Sequence, residues 1–113
     1  MKITNYRDIE AKEVEEGAKN VTIRQLITKD SGALNFTMRM FEMQPEGSTP
    51  LHDHDWEHEV FILEGEGAVV AGGKDNPFRE GDAIFVAPKE KHQFKNTGQA
   101  VVRFVCLIPR ENC

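Results

Sequence analysis

The 113-residue sequence predicts an all-β fold built as an antiparallel sandwich or barrel. Nine glycines and five prolines divide the chain into short segments, and the apolar residues between them alternate with a period of two. Turn signals recur roughly every 8 to 15 residues. Short strands separated by such turns favour packed antiparallel sheets over alternating strands and helices.

Five segments have the composition and alternation of β-strands. The third contains Gly65 and Gly67, where we expect an interior turn or kink. Residues 44–50 (QPEGSTP) and 71–77 (AGGKDNP) have the composition of turns. The predicted strands cover residues 20–27, 35–43, 59–71, 82–88 and 99–108.

Alternation in the last predicted strand indicates which of its faces is buried. Its even-numbered residues are all apolar, and we expect them to face the interior. The opposite face carries Arg103 but is otherwise apolar enough to pack on a second sheet or subunit. The expected interior residues are Val102, Phe104, Cys106 and Ile108.

The acidic segment 8–17 (DIEAKEVEEG) suggests a short helix with Asp8 as its N-cap. Its charges predict a solvated face rather than a functional site. The helix would be a minor element beside the strands.

Length and charge limit the class of protein. A chain of this size is expected to form one domain over residues 1–113. The net charge is -5 and Lys and Arg do not cluster, which argues against nucleic-acid and anionic-membrane partners. No stretch is apolar enough for a membrane span or a signal peptide, so we expect a cytoplasmic protein. Cys106 and Cys113 are expected to be reduced thiols.

All four histidines lie in two places, three within residues 52–58 (HDHDWEH) and the fourth at position 92. On an extended strand, side chains at i and i+2 share a face, so His52 and His54 can reach one ion. An ideal strand would carry His58 roughly 13 Å further, so a bend must bring it back. We expect His92, on a separate strand after Pro88, to reach the ion from the opposite side.

Four imidazoles without thiolates indicate one divalent transition-metal ion rather than calcium or magnesium. Manganese or iron is the expected ion, and nickel, copper or zinc would also suit these ligands. An octahedral ion would keep two positions for water, substrate or dioxygen, as catalytic metal sites do. Any one of these histidines alone would be explained as an ordinary strand or turn residue, whereas the set predicts a metal site.

Residues 54–58 (HDWEH) also fit the H-x-x-E-H pattern of inverzincin proteases, in which a helix presents two histidines and a catalytic glutamate. Pro50 precedes this run, and the β-rich residues 59–67 (EVFILEGEG) follow it at once. A helix long enough to carry such a site does not fit between them. The sequence context therefore disfavours this alternative.

Two segments resemble the motifs of the cupin superfamily. Residues 47–67 (GSTPLHDHDWEHEVFILEGEG) resemble the first motif, G-x5-H-x-H-x3/4-E-x6-G, and residues 81–96 (GDAIFVAPKEKHQFKN) resemble the second, G-x5-P-x-G-x2-H-x3-N. Several spacings differ by one residue, and Glu90 replaces a motif glycine. The resemblance is greatest to small single-domain cupins with four histidine ligands. It implies a double-sheet jelly-roll barrel that forms a homodimer.

Most cupins have a glutamate ligand where this sequence offers either His58 or Glu59. Strand parity favours His58, because it shares the parity of His52 and His54, whereas Glu59 should face away. A histidine ligand in place of the usual glutamate changes the charge of the site and so affects which metal the site prefers.

Five residues are candidates for a substrate pocket. Trp56 and Phe94 could form its walls, or simply pack beside the metal site. Phe104 and Cys106, if interior, would line a cavity near the ion, although a buried cysteine is usually a small hydrophobic residue. Arg39 alternates with methionines, and it either points outward or binds an anionic substrate.

The first function hypothesis is a metal-dependent oxygenase or related oxidoreductase acting on a small organic molecule, as the resemblance and the ligand count imply. The alternatives are a non-catalytic module that binds or senses a small ligand, and a metal-dependent isomerase. In each case the expected partner is a small molecule bound in the barrel.

Overall fold

The structure is a computed structural model that describes residues 1–14 and 17–109. Within these residues it contains nine strands and two three-residue 3-10 turns, Tyr6–Asp8 and Lys29–Ser31. The strands are β1 Lys12–Glu13, β2 Lys19–Ile27, β3 Phe36–Ser48, β4 His58–Glu64, β5 Glu66–Ala71, β6 Lys74–Arg79, β7 Ala83–Val86, β8 His92–Asn96 and β9 Val102–Pro109.

All strand pairs are antiparallel, and they form one curled sheet in the order β6-β5-β8-β3-β9-β4-β7. β2 pairs with β3, and β1 pairs with β2. β3 pairs with β9 through residues 36–43 and reaches β8 at Ser48. The long β3 therefore connects the two layers of the barrel, one built around β9 and the other around β8.

The five predicted strands are present, but one is split, one is longer than predicted, and a further strand, β6, follows β5. The segment predicted as one kinked strand over 59–71 is split into β4 and β5 at Gly65, whose φ is +91°. β3 continues to Ser48 through residues predicted as a turn. Only residues 72–73 of the predicted turn 71–77 are a turn, because β6 begins at Lys74. Pro77 is compatible with β6 because an edge strand does not need every backbone N–H for pairing.

The predicted N-terminal helix is wrong in the part that the structure describes. Asp8 ends a 3-10 turn that Asn5 caps, and Lys12 and Glu13 form a strand. That strand gains ladder hydrogen bonds on the free edge of β2, and Val14 continues it with a 3.1 Å bond from its N–H to the Val21 carbonyl. Tertiary pairing therefore overrides a weak local preference for helix. Glu15 and Glu16 of the same segment lie outside the described residues.

The parity prediction for the last strand is confirmed. Along β9 every even-numbered residue is buried and every odd-numbered residue is partly exposed. Phe104 and Cys106 retain only 2% of their surface exposed and belong to the main hydrophobic cluster. This places both residues inside the barrel. Cys106 is a free thiol, and Cys113 lies outside the described residues.

Two arginines on the outer face of β2 and β9 share the carboxylate of one buried glutamate. Glu42 accepts hydrogen bonds from Arg24 Nε at 2.7 Å and Arg103 Nε at 2.8 Å. Burial alone would raise the pKa of Glu42, but the hydrogen bonds from the two guanidinium groups hold it below its usual value. Arg24 also donates to the carbonyls of Tyr6 and Ile9, which fastens the N-terminal segment over this face.

Large apolar side chains remain exposed on the other outer surface. Phe61 and Phe85 lie on β4 and β7, and Phe36 begins β3, with 48%, 59% and 66% of their surfaces exposed. Such a face matches the homodimer that the sequence predicts, which stays a prediction. The described residues contain no helix long and apolar enough to cross a membrane.

Gly67→Ala should destabilise the barrel, because a Cβ at this position would lie 2.1 Å from the Lys95 carbonyl oxygen and 2.7 Å from Phe78 Cζ. We expect a loss of about 1–3 kcal/mol or more in urea unfolding. Gly98→Ala is the control, because its Cβ would meet only the flexible side chain of Glu66 at 3.0 Å. Equal losses in the two variants would contradict this account of the β5–β8 contact.

Candidate metal centre

Backbone hydrogen bonds hold the two histidine-bearing segments side by side. After β3 ends, the Thr49 N–H donates to the Phe94 carbonyl at 2.9 Å. His52 and His92 then donate to each other's carbonyls, at 3.1 Å and 2.9 Å. Residues forty positions apart in sequence thereby become neighbours in an isolated β-bridge.

Three of the four predicted ligands lie close enough to hold one ion. His52, His54 and His92 each offer a ring nitrogen, and these three atoms lie within 4.8 Å of one another. His58 stands at the start of β4, with its ring centroid 4.8 Å from that of His54 and 5.3 Å from that of His92. The chain bends at residues 55–56, so the predicted return of His58 to the other histidines is present.

The His58 ring has one partnered and one unpartnered nitrogen. Its Nδ1 lies 3.1 Å from Cys106 Sγ, and its Nε2 is buried without a hydrogen-bond partner. A buried ring nitrogen left in this way is costly unless another group satisfies it. A metal ion would satisfy Nε2, and the donor chemistry of the site therefore fits a fourth ligand here.

A hydrogen bond to the turn just before β8 fixes the tautomer of His92. Its Nδ1 lies 2.8 Å from the Glu90 carbonyl oxygen, and because a carbonyl only accepts, Nδ1 must carry the proton. The lone pair is then on Nε2, the nitrogen left free to bind an ion. Glu90 thus contributes through its backbone carbonyl, and it is not among the residues with positive φ, so its position does not require glycine.

Burial favours the neutral form of three imidazoles, those of His52, His54 and His58. Desolvation is the main cause that lowers the pKa of His54 to about 4 and that of His58 to about 3, and the positive charge of Arg39 lowers both further. The pKa of His52 is also lowered, first by burial and then by His92, although a hydrogen bond to Pro50 opposes the change. Neutral imidazole is the form that binds metals.

A cavity of 240 Å³ opens beside the histidines. Three phenylalanines form a stacked wall, with ring centroids 5.1 Å apart for Phe41 and Phe104 and 4.9 Å apart for Phe94 and Phe104. The cavity is smaller than the roughly 300–1,000 Å³ of pockets for drug-sized ligands. It suits a small, flat molecule.

Arg39 takes the inward of the two orientations that the sequence left open. It lines the cavity, and its Nη2 donates to Cys106 Sγ at 3.2 Å. Its guanidinium carbon lies 5.1 Å from the centroid of the Phe41 ring. Burial raises the pKa of the Cys106 thiol, although Arg39 acts in the opposite direction. Cys106 therefore connects the arginine to His58.

Two residues discussed in the sequence analysis, Trp56 and Glu59, do not line this cavity. Trp56 does not form a wall of this cavity; its ring stacks on His54 at 4.6 Å with the planes 10° apart. The flat imidazole offers the indole a stacking surface, and this contact accompanies the bend at residues 55–56. Glu59 is exposed and pairs with Phe85 and Leu107 on the outer side, as strand alternation predicts.

Several cavity residues were missed in the sequence. Phe41 could have been found, because it shares a strand face with Arg39 two residues earlier. Ile23 lies on β2, which was predicted as a strand, and β2 pairs with β3 opposite Phe41. Val14 follows β1, in a segment whose acidic composition suggested a solvated helix, and its contribution depends on the pairing of β1 with β2, which no local pattern indicates.

Comparison with known proteins agrees with this arrangement. A family model described as a cupin domain matches residues 39–108, which include the four histidines and Arg39. The chain belongs to the cupin family. The predicted jelly-roll barrel is therefore confirmed by family membership as well as by the strand order.

Three related cupins are similar over most of this chain. The polyketide cyclase RemF from Streptomyces resistomycificus is 39% identical with a TM-score of 0.91, and the match covers 96% of this chain and 79% of that one. The oxalate-binding protein of Thermotoga maritima is 34% identical over 81% of this chain and 78% of its own length. The 1-methylthio-D-xylulose 5-phosphate methylsulfurylase of Rhodospirillum rubrum is 30% identical over 86% of this chain, which spans 63% of that protein.

The free energy of unfolding of the metal-free protein should fall as the pH drops from about 6.5 towards 4. Imidazoles of the unfolded chain take up protons in this range, whereas folded His54 and His58 resist protonation down to pH about 4 and 3. The unfolded state therefore binds more protons and is favoured by acid. Well above pH 6.5 these imidazoles are neutral in both the folded and the unfolded protein, so their contribution to the pH dependence of stability vanishes.

Urea unfolding at several pH values between about 6.5 and 4 measures how steeply the free energy of unfolding depends on pH. His58→Gln is the matched comparison, because glutamine does not titrate, and its stability should depend less steeply on pH. Equal slopes for wild type and His58→Gln would contradict the burial of a neutral His58.

Proposed function

We propose that the four histidines bind one divalent transition-metal ion, and that the protein is a metal-dependent enzyme acting on a small conjugated carbonyl compound. The observation that carries this proposal is the buried, unpartnered Nε2 of His58 beside three clustered histidines, at the edge of an aromatic cavity. A site of nitrogen donors at the mouth of an apolar pocket is the usual form of a catalytic metal centre.

The ligand set favours manganese, iron, nickel, copper or zinc over magnesium or calcium, because it offers imidazoles and no carboxylate. Four ligands leave two positions of an octahedral ion open. A bound divalent ion would act as a Lewis acid towards a substrate oxygen.

The walls of the cavity would orient the substrate. The rings of Phe41, Phe94 and Phe104 offer stacking surfaces for a flat conjugated molecule and exclude water from it. Among the described residues, no aspartate or glutamate lines this cavity. The described residues thus provide no carboxylate base at the cavity, which favours activation through the oxygen of the substrate over direct proton abstraction by a carboxylate.

The similarity to a polyketide cyclase supports this class of substrate, because it extends over 96% of the chain. Polyketides are rich in carbonyl groups, and in an aldol cyclisation the enol carbon beside one carbonyl group forms a bond to the carbon of a second, more distant carbonyl group. We infer that this protein promotes enolisation or cyclisation of such a compound.

A metal-dependent oxygenase, the first expectation from the sequence, is the second candidate. It would use the same four ligands and the same apolar cavity, and the open positions of an octahedral ion would admit dioxygen. The two candidates differ in whether oxygen is consumed.

Metal affinity tests the ligand set through two neighbouring residues. His58→Ala removes a ligand and should lower affinity for zinc or manganese by about 10-fold or more. Glu59→Gln should keep one ion per chain with nearly unchanged affinity, because Glu59 is exposed on the outer face. Calorimetric titration of the metal into the metal-free variants measures the affinity and the number of ions bound per chain. Loss of metal in Glu59→Gln with retention in His58→Ala would refute the four-histidine site.

Enolisation tests the reaction class. Benzoylacetone is a flat aromatic diketone whose methylene protons exchange with D2O when it enolises. Anaerobic protein loaded with zinc or manganese should accelerate this exchange, followed by NMR, beyond the metal-free protein, His58→Ala and the free ion. Glu59→Gln should match the wild type.

Aerobic incubation of iron-loaded protein with the same diketone, followed by an oxygen electrode, distinguishes the two candidates. Oxygen uptake without anaerobic exchange would favour the oxygenase. Saturable binding of the diketone with neither exchange nor uptake would contradict an enzyme and indicate a binding module.

A further inference from the structure

Arg39 lines the cavity, and no residue that the structure describes provides it with a counter-ion. Within residues 1–14 and 17–109, no carboxylate lies within 4.0 Å of its guanidinium nitrogens. Its Nε is buried and has no hydrogen-bond partner. The contacts it makes are a hydrogen bond to the sulfur of Cys106, a weak acceptor, and the face of the Phe41 ring.

Two other partly buried arginines in the same chain, Arg24 and Arg103, have carboxylate partners. Arg24 and Arg103 share the carboxylate of Glu42, and Arg103 also pairs with Glu64. A charge removed from water without a partner is destabilising, so proteins usually provide one. The unmatched guanidinium at the cavity therefore indicates that its partner arrives with a ligand.

The position of Arg39 relative to the histidines defines the shape of that ligand. Arg39 Nη2 and His58 Nδ1 contact the same sulfur atom, at 3.2 Å and 3.1 Å. The positive charge of Arg39 also lowers the pKa of His54 and His58, so its field extends over the cluster. A small molecule can therefore contact the guanidinium with one oxygen and the histidine cluster with another.

We propose that Arg39 binds an ionised oxygen, a carboxylate or an enolate, on a small planar ligand whose apolar body lies against Phe41 and Phe104. The inference rests on the proposed function for the location of the ligand and extends it by assigning the ligand's charge. Arg39 would then determine specificity, because a neutral molecule of the same shape leaves the guanidinium unpaired.

Salicylate and salicylamide test this assignment, because they have nearly the same shape and differ in charge. Calorimetry on metal-free and zinc-loaded protein should show tighter binding of salicylate in both forms. Arg39→Gln should weaken salicylate binding by about 10- to 100-fold and leave salicylamide nearly unchanged. Arg39→Lys, which keeps the charge, should restore part of the preference.

Arg79→Gln is the matched control, because it makes the same chemical change at an exposed position on β6 away from this cavity. Its binding of both probes should equal that of the wild type. Circular dichroism of each variant shows that the barrel is folded, and zinc titration shows that the metal site is intact.

The outcomes separate the two proposals. Unchanged salicylate binding in a folded Arg39→Gln that still binds zinc would refute the role of Arg39 and leave the proposed metal enzyme standing. Failure of the wild type to bind zinc, with an Arg39-dependent preference for salicylate in the metal-free protein, would refute the metal enzyme and support the anion site. Equal affinity of wild type for the two probes, or binding of neither, would refute the anion site.

Discussion

The paired backbone hydrogen bonds between His52 and His92 are the contact on which the site depends. They join the segment after β3 to β8, so that segments from the two cupin-like motifs share one short ladder. The side chains of both residues are thereby placed by the main chain rather than by flexible loops. His54 follows two residues later, and the stacking of Trp56 on its ring accompanies the bend that returns His58.

The interior of the barrel has an unusual balance of charge. Burial favours the neutral form of His54 and His58, Cys106 contacts both an imidazole and the Arg39 guanidinium, and among the described residues no carboxylate pairs with Arg39. An added divalent ion would make this interior more positive still. The interior therefore favours an anionic ligand, whereas on the outer face of the same sheet Arg24 and Arg103 share the carboxylate of Glu42.

Much of the fold could be predicted because strand alternation is a local property. The buried face of β9 and the outward orientation of Glu59 follow from it, and the break at Gly65 follows from the glycine itself, whose φ is positive. β6 was missed because its proline and asparagine resemble a turn, although a sheet edge tolerates both. The N-terminal strand was missed because only its pairing partner makes it a strand.

Arg39 shows why part of the site could not be predicted. Alternation identifies the buried face of a strand only when the other face is polar, and both faces of β3 are largely covered here. The contact between His58 and Cys106 joins residues forty-eight positions apart, so no local spacing encodes it. The histidines could be found because they cluster in sequence, whereas their supporting residues cluster only in space.

The stacking of Trp56 on His54 gives the protein a built-in optical reporter. The chain has one tryptophan and one tyrosine, so nearly all of its intrinsic fluorescence comes from the indole of Trp56, whose ring centroid lies 4.6 Å from that of His54. A paramagnetic ion held by His54 would quench this emission by electron or energy transfer, whereas closed-shell zinc would leave most of it. Native fluorescence would thus distinguish a paramagnetic ion from a closed-shell ion at the proposed site, without any label or substrate.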